Sequence, residues 1–143
     1  MAIPKNILIF EPDATGHHSG YLNHLIVNFL KNDYSYKLIV LVSPDFFKKH
    51  AQIIQKTNSP RVQWVKISQT EFVEWQRPKL VFKRAIFEWE LFCRYAKEYN
   101  AILGFFMYID YLQLAVLSKS SPPCPISGIL FRPTLVNYAT NSL

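Results

Sequence analysis

Glu11, Asp13, His17, His18 and Ser19 crowd into one stretch, Glu11-Pro12-Asp13-Ala14-Thr15-Gly16-His17-His18-Ser19-Gly20, in which two glycines flank a His-His-Ser. Histidine exchanges protons near neutral pH or donates to an anion, and a nearby carboxylate orients it or takes the proton. Glycine lets the backbone turn sharply and lets a ligand approach its N–H groups. A short apolar run, Ile7-Leu8-Ile9-Phe10, precedes the stretch, and an amphipathic segment follows at once. A strand, a glycine loop and a helix in that order aim unsatisfied N–H donors and a partial positive charge at whatever binds, which suits a phosphate or a sugar hydroxyl. Glu11, Asp13, Gly16, His17, Ser19 and Gly20 are accordingly expected to contact substrate, with His18 as the acid–base group.

Each residue also has a plainer role. Gly16 and Gly20 can serve only a tight turn and close helix packing. Glu11 and Asp13 can shape the turn, and a loop histidine can simply bond to backbone. The spacing Gly16-x-x-x-Gly20 is not the three-glycine dinucleotide fingerprint, and no phosphate-binding GxxxxGK[ST] occurs. Adjacent histidines point apart, and Asp13 or His24 would complete no standard zinc spacing, so no metal and no cofactor is expected. His24 and His50 read as structural or solvated.

Two further candidates lie far along the chain. Asp110 follows an apolar run and could position or deprotonate a hydroxyl, or cap the next helix. Arg132 could pair with an anion or make a structural salt bridge.

The elements that must bring these together alternate clearly. Apolar runs at 6–11, 37–42, 62–67, 101–108 and 126–131 read as strands. Helical patterns fill 19–31, with Ser19 as N-cap, then a segment opened by Ser43-Pro44-Asp45 and ending near Lys56, then 78–99 and 110–119. Continuous apolar strands separated by helices imply an α/β fold, a Rossmann-like doubly wound parallel sheet of about five strands with helices on both faces. The expected order is 3-2-1-4-5, which gathers the loops after strands one, four and five into one crevice.

With 143 residues, half of them apolar, the chain fits a single domain spanning 1–143. No apolar run reaches membrane-spanning length, no signal-peptide pattern is present, and Cys93 and Cys124 form no disulfide framework, so a cytoplasmic protein is expected. The net charge of +6 favours acidic partners. In the long helical segment, Phe82, Ile86, Trp89, Phe92, Ala96 and Tyr99 make an apolar stripe, with Arg77, Lys79, Lys83 and Arg84 near its start. Core packing explains such a stripe; so does peripheral contact with the inner face of a membrane.

The opening Phe10-Glu11-Pro12-Asp13-Ala14-Thr15-Gly16-His17-His18-Ser19-Gly20-Tyr21, with the later Ser127-Gly128-Ile129-Leu130-Phe131-Arg132-Pro133, resembles the N-terminal domain of GT-B-fold glycosyltransferases, nearest the retaining, glycogen-synthase-like group. The resemblance implies that this domain holds a sugar or lipid-linked acceptor while its glycine loop approaches the diphosphate of a nucleotide-sugar donor. Gly16, His17, His18 and Gly20 then become cleft residues, and Asp110 and Arg132 acceptor or donor contacts. Members of that family carry a second Rossmann-like domain with an acidic E-x7-E motif. The present chain ends at Leu143, so a C-terminal domain or partner subunit would have to complete the donor site, and the isolated domain is expected to turn over little. The resemblance implies no metal requirement.

The alternative is a non-catalytic binding or regulatory module that docks a partner protein. A nucleic-acid binder finds no motif in support. On either main reading, substituting His17 or His18 should weaken ligand binding without unfolding the domain.

Overall fold

The computed structural model describes residues 3–110, 112, 115 and 121–130. Five strands, β1 (Lys5–Glu11), β2 (Tyr36–Val42), β3 (Val62–Lys66), β4 (Ala101–Phe106) and β5 (Ile126–Gly128), form one sheet. Every neighbouring pair is parallel and the order is β3-β2-β1-β4-β5, the doubly wound Rossmann-like order expected from the alternation of runs. The helices are α1 (His18–Leu30), α2 (Pro44–Lys49), α3 (Ala51–Lys56), α4 (Gln69–Gln76) and α5 (Val81–Glu98).

Alternation within the central strands builds two cores, because successive side chains leave a strand on opposite faces. Leu8 and Phe10 of β1 lie level with Ile39 and Leu41 of β2, and all four pack with Phe72 of α4 and Trp89 and Phe92 of α5. Ile9 lies level with Val40, and both pack with Leu22 and Ile26 of α1 and Phe46 of α2. A strand covered on both faces has no polar side to display, which is why these runs are continuously apolar.

Four local features depart from the sequence reading. Ser19 does not cap α1: His17 occupies the N-cap, no side chain caps it, and Ser19 sits inside the first turn. The helix expected from Ser43 to Lys56 is broken at His50, whose backbone leaves the helical region (φ −128°, ψ 37°) while its Nε2 bonds to the Ala14 carbonyl at 2.9 Å. That bond ties the loop after β1 to the junction of α2 and α3. The fourth strand stops at Phe106 rather than at Tyr108. The last strand stops at Gly128 rather than at Phe131, while the helix expected over 110–119 falls largely outside the described residues.

Helix α4 was not anticipated, although Ser68-Gln69-Thr70-Glu71 spells a capping box. The Ser68 hydroxyl accepts from the Glu71 N–H at 3.1 Å, and Glu71 Oε1 accepts from the Ser68 N–H at 2.8 Å. The same carboxylate accepts from the Tyr95 hydroxyl at 2.7 Å and pairs with Arg94, so this cap also docks α4 onto α5. Ser68→Ala is expected to cost about 1 kcal/mol, read as a lowered urea midpoint at unchanged slope.

Candidate functional site

The loop after β1 is a chain of short bonds. Glu11, 2% exposed, ends the strand with its carboxylate turned back under the loop, where Oε1 accepts from the Asp13 N–H at 3.0 Å. Asp13 Oδ1 in turn accepts from the Thr15 N–H at 2.9 Å and the Thr15 hydroxyl at 2.6 Å. Such an Asx turn reverses the chain locally. Gly16 completes the reversal at φ +62°, a left-handed conformation that costs a side-chain-bearing residue and suits glycine.

The turn delivers His18 onto Glu11: Nδ1 donates to Oε2 at 2.8 Å. An acceptor-only carboxylate holds the imidazole proton on Nδ1 and leaves Nε2, 3.8 Å from Asp13 Oδ2, as the second reactive nitrogen. The His18 ring also meets Tyr108 edge-on, with centroids 6.1 Å apart. The first loop and the segment after β4 thus converge at the carboxyl edge of the sheet beside β1, where open α/β sheets bind ligands.

Two clefts open there. The first, about 320 Å³, is lined by Glu11, Thr15, Gly16, His17, His18, Tyr21, Met107 and Tyr108. The second, about 330 Å³, shares Glu11, His18 and Tyr108 and adds Asp13, Trp75, Arg84 and Glu88. Its far wall is preorganised. The indole N–H of Trp75 donates to the buried Glu88 carboxylate at 2.6 Å, and Arg84 donates to the Trp75 carbonyl at 2.9 Å while its guanidinium stacks on the indole. His18 and Tyr108 therefore border both clefts. No metal centre of three or more His, Cys, Asp or Glu is found among the described residues. The oxygens of Glu11 and Asp13 are already engaged within the turn.

No protein-family model, curated protein or solved structure matches this chain.

Of the residues singled out in the sequence, Glu11, Gly16, His17 and His18 come together in the first cleft, and Asp13 joins Glu11 and His18 in the second. Ser19 and Gly20 belong to the first turn of α1 and line neither cleft; Gly20 is exposed, and a Cβ there would meet nothing within 4 Å. Asp110 is buried at 4% exposure and lines neither of these two clefts. Arg132 lies outside the described residues. Tyr108 belongs to the loop after the fourth strand, which the strand order brings to this crevice, whereas Trp75, Arg84 and Glu88 line the second cleft without belonging to a motif of the sequence. Glu88 had a signal: it is the one carboxylate among the buried positions of α5, between Ala85 and Leu91. Buried charge of that kind is costly unless it is engaged.

The Glu11–His18 pair titrates unusually. Burial pushes the Glu11 carboxyl above its ordinary range, against the pull of His18. The hydrogen bond to Glu11 raises the His18 imidazole, against partial burial. Both groups therefore hold protons more tightly folded than unfolded, and for both the stability contribution is lost as pH rises. For His18 it is fully present below the unfolded value of 6.5 and disappears as pH climbs through the higher folded value. Unfolding free energy is thus expected to decline as pH rises above 6.5, and His18→Gln should remove the part of that decline due to the imidazole. Urea midpoints across a pH series would show it.

Proposed function

We propose that this domain is the acceptor-side half of a glycosyltransferase of the GT-B kind, working with a second domain or subunit that supplies most of the donor site. The observation that carries the reading is the Glu11–His18 pair, set at the carboxyl end of the central strand on the border of both clefts. A buried carboxylate on Nδ1 orients the ring, raises its basicity and stabilises the imidazolium that forms when Nε2 takes a proton.

In the transfer, the acceptor oxygen forms a bond to the anomeric carbon of the donor sugar. The bond from that carbon to the diphosphate breaks, and the nucleoside diphosphate leaves with the electron pair. The hydroxyl proton passes to His18 Nε2. Gly16 contributes an exposed turn against which a diphosphate can rest, and His17 stands at the N-terminus of α1, where the helix dipole favours negative charge. The second cleft, with its carboxylates, guanidinium and indole, supplies the mixed donors and acceptors that a polyhydroxylated ligand needs.

Titrating the isotope-labelled chain with uridine diphosphate glucose and guanosine diphosphate mannose tests this. Amide shifts should concentrate at Gly16, His17, His18 and Tyr108, and His18→Ala should abolish them while leaving the remaining spectrum folded. Shifts scattered away from these residues, or none with either nucleotide sugar, would overturn the reading.

A further inference from the structure

Helix α5 divides into two unlike parts. From Ala85 onward its apolar stripe is core: Ala85, Trp89, Leu91, Phe92, Tyr95 and Ala96 are all buried. Its start is the opposite. Leu80, Val81 and Phe82 are 72%, 65% and 44% exposed, three consecutive large apolar side chains in water. The apolar residues of this segment that face water are therefore confined to its start.

Two of the four cations around that end face solvent. Arg77 is 68% exposed, Lys83 is exposed one residue beyond Phe82, and Arg84 follows. Lys79 is drawn in over the Phe87 ring. Glu74 is the carboxylate paired with Arg77 and Lys79, and no acidic residue occupies the first turn of α5. The local balance is positive, as it is for the whole chain.

We propose that residues 77–84 form a wedge that seats this domain on an anionic lipid bilayer. The shape favours lipid over a protein groove. Leu80 is the extended N-cap residue before α5 (φ −60°, ψ 146°), and Val81 and Phe82 leave the helix about 100° apart, so the three make no single helical stripe. A docking helix offers anchors three or four residues apart on one face. Apolar tips that diverge beside the exposed Arg77 and Lys83 instead suit a fluid interface, into which each tip can sink separately while those two cations meet headgroup phosphates. Helix α5 runs back toward the start of β4, so its own start lies at the carboxyl edge of the sheet. Arg84, on the rim of the second cleft, is one turn from Leu80. Seating the wedge brings that rim to headgroup level. The inference does not depend on the transferase reading.

The test is partition of the full chain onto phosphatidylcholine vesicles with and without about 30 mol % phosphatidylglycerol, measured by co-sedimentation. The chain should bind the anionic vesicles. Leu80→Ser with Phe82→Ser, which leaves every charge in place, should lower the partition about tenfold with unchanged circular dichroism. Lys83→Glu should lower it too. Equal partition of the apolar double variant would overturn the wedge and leave only diffuse attraction of a basic protein. Absence of binding to anionic vesicles would overturn it as well, as would self-association that the double variant abolishes without any vesicle binding, since the occupant would then be a second copy of the chain.

Discussion

Gly104→Ala is expected to lower the stability of this domain by about 1–3 kcal/mol, at the upper end of that range, with a matching fall in the urea midpoint. A Cβ at Gly104 would sit 2.2 Å from Cζ and 2.5 Å from Cε2 of Phe92, well inside van der Waals contact. Phe92 cannot swing aside. It is fully buried and walled by Phe10, Trp89 and Phe106, with ring centroids 6.3, 5.7 and 4.6 Å away. The backbone cannot easily yield either, because Gly104 is paired with Leu8 on one side and Ile126 on the other. The clash has one address, so one change should relieve it: adding Phe92→Leu to Gly104→Ala should cost less than the sum of the two single variants. Simple additivity would show that the strain is absorbed elsewhere.

The second large effect belongs to Trp89, 1% exposed beneath the sheet and stacked on Phe106. Trp89→Ala should cost about 3–5 kcal/mol through lost burial and the cavity it leaves. Trp89→Phe should cost less than about 1.5 kcal/mol, because the indole N–H has no hydrogen-bond partner among the described residues and its removal leaves no polar group stranded. If Trp89→Phe were as damaging as Trp89→Ala, the nitrogen would have to be engaged after all. Thermal melts of the two variants side by side decide it.

The sheet was readable from the chain because a strand buried on both faces has to be written as an uninterrupted apolar run. Leu38–Val42 and Ile7–Phe10 admit little else at that length. What escaped was decided by tertiary contacts. Nothing local marks His50 as a break between α2 and α3; the Ala14 carbonyl, 36 residues away, sets it. Helix α4 is two turns long and mildly amphipathic, so its periodicity is thin, and only Ser68 and Glu71 announced it.

The site divides the same way. Glu11 and His18 were visible as residue types suited to proton transfer. Their pairing depends on how the Asp13 turn and the positive φ of Gly16 aim the chain, which spacing alone does not reveal. Ser19 reads as a good N-cap by type, yet α1 begins one residue earlier, at His18. Trp75, Arg84 and Glu88 reach the second cleft from helices more than fifty residues beyond the loop, and only the packing of α4 and α5 across the sheet brings them there.

The placement of β1 at the centre of the sheet also governs how the molecule can assemble in time. As the chain emerges during synthesis, β1, β2 and β3 are made in succession and can pair as neighbours, closing only modest loops. The other edge of β1 must wait for β4, whose Leu103 pairs with Ile7 across almost the whole intervening chain. Until α5 and β4 have arrived, Leu8 and Phe10 lack the cover of Trp89, Phe92 and Phe106 on their side. The slow, exposed interval of folding is therefore the one that precedes docking of the second half, and substitutions in Phe92, Gly104 or Phe106 should lengthen it more than equal losses of stability within β2 or β3.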